Sequence, residues 1–168
     1  YAWAEAFGLK GTESPDEIEA MPGVMNALEE LRCQAGVLAG IANRPEDVPQ
    51  STPKVAVVAK PTDYHTLDGS LISGDSASIL IRMISIERVH RATPMTGAMC
   101  LTSASQIEGT IPYIAANHDK EDTFIGHPSG LLPVSSEVEN IDGRWRVIAN
   151  RAFRTARRLM EGRVVLPT

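Results

Sequence analysis

The sequence predicts an α+β fold. Three observations predict it. Short strand-like runs outnumber long amphipathic ones, strands and helices do not alternate as regular βαβ units would, and two late strands flank an Asp142–Gly143 hairpin signal. With 168 residues, 43% of them hydrophobic and 22% charged, the chain can form one ordinary domain with a real core.

The elements follow in order. "YAWAEAFGL" is an aromatic, strand-like fragment that turns between Gly8 and Gly11. Ser14 before Pro15, with Glu17 three residues on, is a capping box that opens a helix. Pro22–Gly23 breaks it, and a second helix follows with Val24, Leu28, Leu31, Ala35, Leu38 and Ala42 on one face. Its small residues (Ala35, Gly36, Ala39, Gly40) suit close packing. "NRPEDVPQSTP" is a polar, proline-rich loop and "KVAVVAKP" a short buried strand, after which Asp68–Gly69 marks a turn. "SGDSASILIRMISIERVH" is expected to be a helix capped near Asp75 or Ser76, with Ile79, Met83 and Ile86 inward. "RVHRATPM" is expected to be a strand, "TGAMCLTSASQI" a helix opened by Thr96 and Gly97, and "GTIPYIAA" a strand. After a turn at "NHDKED" come the strand "TFIG" and the hairpin formed by "LLPVSSEVE" and "GRWRVIANRAF". Apolar spacing favours a helix for "RAFRTARRLMEG", and "RVVLP" reads as a strand.

The net charge is -5 and no basic tract exists apart from Arg157–Arg158, so nucleic acid has no electrostatic support as a partner. No apolar run approaches a membrane span, and none reads as a signal peptide. Two cysteines, Cys33 and Cys100, make no disulfide framework, so a reducing, cytoplasmic compartment is expected.

Two stretches invite chemistry. A helix opening at Thr96–Gly97 leaves the N–H groups of Gly97, Ala98 and Met99 unpaired, and its dipole favours a docked carboxylate. Cys100 is expected in that first turn, where the same field lowers a thiol pKa; a plain capped helix with a core cysteine explains the same residues. "GHPSG" holds His127 and Ser129 in a tight loop, with Pro128 fixing one φ and Gly130 permitting a positive one. Such a loop suits an anion, and equally a surface turn. In a strand His90 and Arg91 would point to opposite faces, so at most one faces a site; His65 and His118 sit in polar loops. No zinc spacing, phosphate loop or G-x-S-x-G elbow is present, and no convincing base emerges.

Taken together, "HRATPMTGAMCLTSASQIEGT", "IGHPSG", "DGRWRV" and "RTARRLMEGRVVLP", in this order, resemble the PrpF-type isomerase family. The family includes 2-methylaconitate, methylitaconate and aconitate isomerases and 4-oxalomesaconate tautomerase. The resemblance covers nearly the whole chain but only the second half of a family member. It implies a diaminopimelate-epimerase-like domain, a β-barrel-like sheet wrapped around a central helix, the second of two similar domains. It also implies that residues 1–168 are this C-terminal domain, that 163–167 return to the absent first domain, and that "RTARRLMEG" is extended.

The implied chemistry is a cofactor-independent proton shift in an unsaturated di- or tricarboxylate, with the proton-transfer lysine and cysteine in the first domain. Thr96, Gly97, Ala98, His127, Ser129 and Gly130 would then bind substrate carboxylate, with Cys100 a candidate catalytic thiol and Arg157 and Arg158 within conceivable reach. A non-catalytic binding domain of the same fold and an amino-acid racemase or epimerase stand as alternatives, and a homodimer stays open.

Overall fold

The computed structural model describes residues 1–119, 122–153, 156 and 158–163. Its centre is a mixed seven-stranded sheet. The strands are β1 (Ala2–Trp3), β2 (Val55–Ala59), β5 (Ile79–Ser85), β6 (Arg88–Val89), β7 (Thr123–His127), β8 (Gly130–Ile141) and β9 (Arg144–Ala152). They are ordered β1-β2-β5-β7-β8-β9, with β6 also paired to β5. A separate hairpin joins β3 (Tyr64–His65) to β4 (Leu71–Ile72).

Strand β5 organises the core because its side chains alternate between two faces. Leu80 and Ile84 pack with Val55, Val57 and Tyr64 under the helices α1 (Pro15–Glu19) and α2 (Pro22–Leu38). Ile79, Ile81 and Met83 pack with Ala56, Val58 and Ile125 against Ala98 and Leu101 of α3 (Met95–Ala104) and Ala115 of α4 (Ile111–Ala115). Helix α3 also lies against the long β8–β9 hairpin, with Val134 in the same cluster.

Several expectations hold. Ser14 Oγ accepts the Glu17 N–H at 3.2 Å and Glu17 Oε2 accepts the Ser14 N–H at 2.7 Å, completing the capping box. The β8–β9 turn sits at Asp142 (φ 52°) and Gly143 (φ 78°), the left-handed pair that a two-residue hairpin needs.

Others do not hold. The segment expected as a helix from Asp75 is strand β5, followed by a tight turn at Ile86 (φ 53°) and Glu87 (φ 58°). All seven β5 residues are buried, so no alternation of polarity marked it as a strand, and Ile79, Met83 and Ile86 mimicked a helical stripe. "GTIPYIAA" is not a strand but helix α4, whose N-cap Thr110 accepts the Tyr113 N–H at 3.1 Å, with Pro112 near its start. "RVHRATPM" is extended only at Arg88–Val89. Helix α2 buries Leu28, Arg32 and Gly36, whereas Leu31 and Leu38 are exposed, a rotation of the expected face. Arg32 can lie on the buried face because its guanidinium is satisfied there, by the Pro49 carbonyl at 2.7 Å and by Glu29. Beyond Ala152 the described residues form no helix, in line with extended chain; Arg154, Thr155, Arg157 and the expected last strand from Val164 lie outside the described residues.

Candidate functional site

Helix α3 begins at Met95 after N-cap Pro94, one residue earlier than the sequence suggested. The difference changes which amides are open. Ala98 N–H already donates to the Pro94 carbonyl at 2.9 Å, so the amides lacking a helical carbonyl are those of Met95, Thr96 and Gly97, not Ala98 and Met99. Cys100 is the sixth helical residue, in the second turn rather than the first, and its side chain is exposed.

A cavity of about 300 Å³ opens beside this helix start. Thr96, Gly97 and Cys100 line it from α3, Met83 and Ala56 from the sheet, and Tyr1, Pro53 and Lys54 from the chain entering β1 and β2. Among the described residues Lys54 is the one charged side chain in its lining. The lysine is held by its Nζ donating to Ser85 Oγ at 2.6 Å. Burial, then the Lys54 charge, holds the His90 imidazole below its ordinary pKa, and its buried Nε2 has no hydrogen-bond partner among the described residues. Burial, then the Cys100 thiol, pushes the Tyr1 phenol above its ordinary range. At Gly97 a Cβ would meet only the end of the Met83 side chain, Cε at 2.5 Å and Sδ at 2.8 Å. The cavity therefore offers open amides, one ammonium and one thiol, with no acidic side chain among the described residues, a lining suited to a carboxylate.

"GHPSG" is a two-residue turn joining β7 to β8, with His127 opposite Gly130. Gly126 is required because a Cβ would lie 2.5 Å from Leu80 Cδ2 and 3.1 Å from Tyr64 Cε1. Gly130, at φ 131°, occupies a region that disfavours a side chain. The turn is pinned by Leu67 N–H to the Pro128 carbonyl at 2.8 Å and Tyr64 Oη–H to the Gly130 carbonyl at 2.6 Å. Ser129 spends both donors inside the protein, its hydroxyl on the Arg91 carbonyl at 2.6 Å and its N–H on His127 Nδ1 at 3.2 Å. His127 is buried; desolvation, then the Arg82 charge, lowers its pKa to about 4, so it is a neutral acceptor for that N–H.

The structure thus gathers Thr96, Gly97 and Cys100 around one cavity, whereas Pro128 of the turn lines a different one. The Ser129–Arg91 bond links the turn to the chain leading into α3. Arg91 itself is exposed and pairs with Asp16, and Arg158 pairs with Glu161. His65 is exposed, and His118 bonds the Tyr113 carbonyl at 2.9 Å. Sequence reasoning missed Lys54 and Tyr1. Lys54 was legible as the one charge between Pro53 and a fully buried strand; nothing in "YAW" marks Tyr1.

Among solved structures, the chain is similar to methylitaconate-delta-isomerase, with 30% identity and a TM-score of 0.78 over 90% of this chain and 42% of that one. Fold and neighbour define an α+β, diaminopimelate-epimerase-like domain. The family model described as PrpF protein matches residues 1–167, and the chain belongs to that family. The 2-methyl-aconitate isomerase of Shewanella oneidensis is 34% identical over 167 residues, which is 98% of this chain and 42% of the relative. The 3-methylitaconate isomerase of Eubacterium barkeri is 34% identical over 170 residues, 98% of this chain and 44% of the relative. The chain therefore spans about two-fifths of the length of these curated relatives, as a resemblance to one half of a family member requires.

Proposed function

We propose that this chain is the substrate-carboxylate-binding part of an isomerase that shifts a proton and a double bond in unsaturated di- or tricarboxylates. The observation that carries the reading is the cavity at the start of α3, where Lys54 and the amides of Thr96 and Gly97 meet without an opposing carboxylate. Relatives named as isomerases of 2-methyl-aconitate, 3-methylitaconate and (4E)-oxalomesaconate support it, since those substrates share that chemistry.

The mechanism needs two things. A base must remove a proton activated by a carboxylate or an adjacent double bond, and the negative charge that spreads into the carboxylate must be stabilised where it develops. This chain supplies the second. Fixed amides and the Lys54 ammonium cost no reorganisation as charge builds on the substrate oxygens. Family resemblance assigns the base to the remainder of the protein. Cys100 lines the same cavity, which supports a part for its thiol in this reading. In this reading His127 and Gly130 act by shaping the turn, and Ser129 contacts a carboxylate only after releasing the Arg91 carbonyl.

The test is double-bond migration followed by proton NMR in D₂O, using the full-length protein with aconitate, methylitaconate and oxalomesaconate. Turnover of at least one, with deuterium at the shifted carbon, is expected. No turnover or exchange in any of them overturns the proposal.

A further inference from the structure

The opposite face of β5 carries a second and larger cavity that the proposed reaction does not use. Arg82 points away from Met83, and so away from the α3 cavity, into a space of about 480 Å³. Its side chain is 1% exposed, an unusual place for a guanidinium inside the apolar run "ILIRMIS". Two of its nitrogens are used: Nε donates to the Glu13 carbonyl at 2.6 Å and Nη1 to the Ile81 carbonyl at 2.9 Å. The Tyr64 ring lies 5.4 Å from the guanidinium carbon. Nη2 has no hydrogen-bond partner and Arg82 no ion pair among the described residues. Burial lowers its pKa to about 10, so it stays charged at neutral pH. A buried charge without a bonded counter-ion is costly, and an anion at Nη2 would relieve that cost.

The rest of the lining restricts which anion fits. Glu13, Glu17 and Asp63 face the same space, against Lys10 as the further cation. The Glu13 carboxylate is occupied by the Lys10 and Gly11 amides. Glu17 takes the Ser14 N–H and also the Ser14 hydroxyl, while Asp63 uses one oxygen on the Gly74 amide and keeps the other without a partner among the described residues. A plain anion is drawn to Arg82 but repelled by this rim. A molecule with an anionic end and a cationic end is favoured at both.

We propose that this cavity binds a small zwitterion, its carboxylate on Arg82 Nη2 and its ammonium against the Glu17 carboxylate and the free oxygen of Asp63. The site is separate from the α3 cavity and does not depend on the isomerase reading.

Calorimetric titration of the full-length protein with glycine, β-alanine and γ-aminobutyrate, with propanoate as the matched acid lacking an ammonium, tests it. At least one zwitterion is expected to bind saturably with a Kd below about 50 mM, and propanoate at least roughly tenfold more weakly. The tightest of the three reports the charge separation. Glu17→Gln keeps a capping-box acceptor, so the helix start survives, and should weaken the zwitterion roughly threefold or more while leaving propanoate unchanged or tighter. Arg82→Lys, if it folds, should abolish both. Saturating aconitate should leave the titration unchanged. The proposal is overturned if no zwitterion saturates, if propanoate binds equally well, if Glu17→Gln has no effect, or if aconitate competes.

Discussion

His127 shows how one buried side chain makes stability depend on pH. Its imidazole titrates near 4 in the folded protein and near 6.5 when unfolded. Above 6.5 both states are neutral, and between 6.5 and 4 only the unfolded state takes the proton. Folding stability therefore falls as pH drops through that window, by up to about 3 kcal/mol, and levels off below it. Thermal unfolding across the window should show a drop in Tm that His127→Gln removes; an identical slope in the variant would assign the effect elsewhere. Two glycines give a matched pair of tests at the same scale. Gly126→Ala drives a Cβ against Leu80 and the Tyr64 ring, neither free to move, and should destabilise by about 1–3 kcal/mol. Gly97→Ala meets only the flexible end of Met83 and gains helix propensity, so stability should hardly change. A methyl beside the open amides should instead raise KM in the full-length enzyme. Denaturant melts together with kinetics separate the two outcomes.

Among the elements, the β5–β6 turn is the least expected. Ile86 and Glu87 both take left-handed backbone without being glycine, which costs on the order of 1–2 kcal/mol per residue. Glu87→Gly should accordingly raise stability by up to about 1 kcal/mol, measured by the denaturant midpoint; a loss would mean the side chain compensates. That turn also explains why β5 was misread. The hairpin signals visible at Asp142–Gly143 are missing from Ile86–Glu87, and a strand buried on both faces has no period-two pattern. Helix α4 was misread for the opposite reason: Ile111, Tyr113 and Ile114 look like strand residues, while the N-cap Thr110 and Pro112 carried the correct signal. The capping box, β2 and the last hairpin were legible because local residues alone dictate them. The site was half legible. Thr96, Gly97 and Cys100 share a cavity as the sequence suggested; Lys54 had a local signal as the charge before a buried strand, but its place beside Ser85 comes from the β2–β5 pairing, which no local pattern encodes.

For the molecule as a whole, the two faces of one sheet present different chemistry: an acid-free cavity beside α3 and a mixed-charge cavity around Arg82. Lys54→Met tests the first in the full-length enzyme. Loss of a charge-assisted contact of about 1.5–3 kcal/mol should lower kcat/KM roughly tenfold to a hundredfold, with the melting temperature little changed. Unchanged kinetics would remove Lys54 from the site. The sheet also has a consequence in time. Strand β1 joins it only by lying parallel to β2, with Ala2 beside Val57. Ala2 and Trp3 must wait for a docking edge made much later in the chain, and closing so long a loop is entropically slow. In refolding with pulsed deuterium labelling, amides of β2 and β5 should become protected before those of Ala2 and Trp3. Simultaneous protection would show that the opening segment joins the nucleus rather than sealing it.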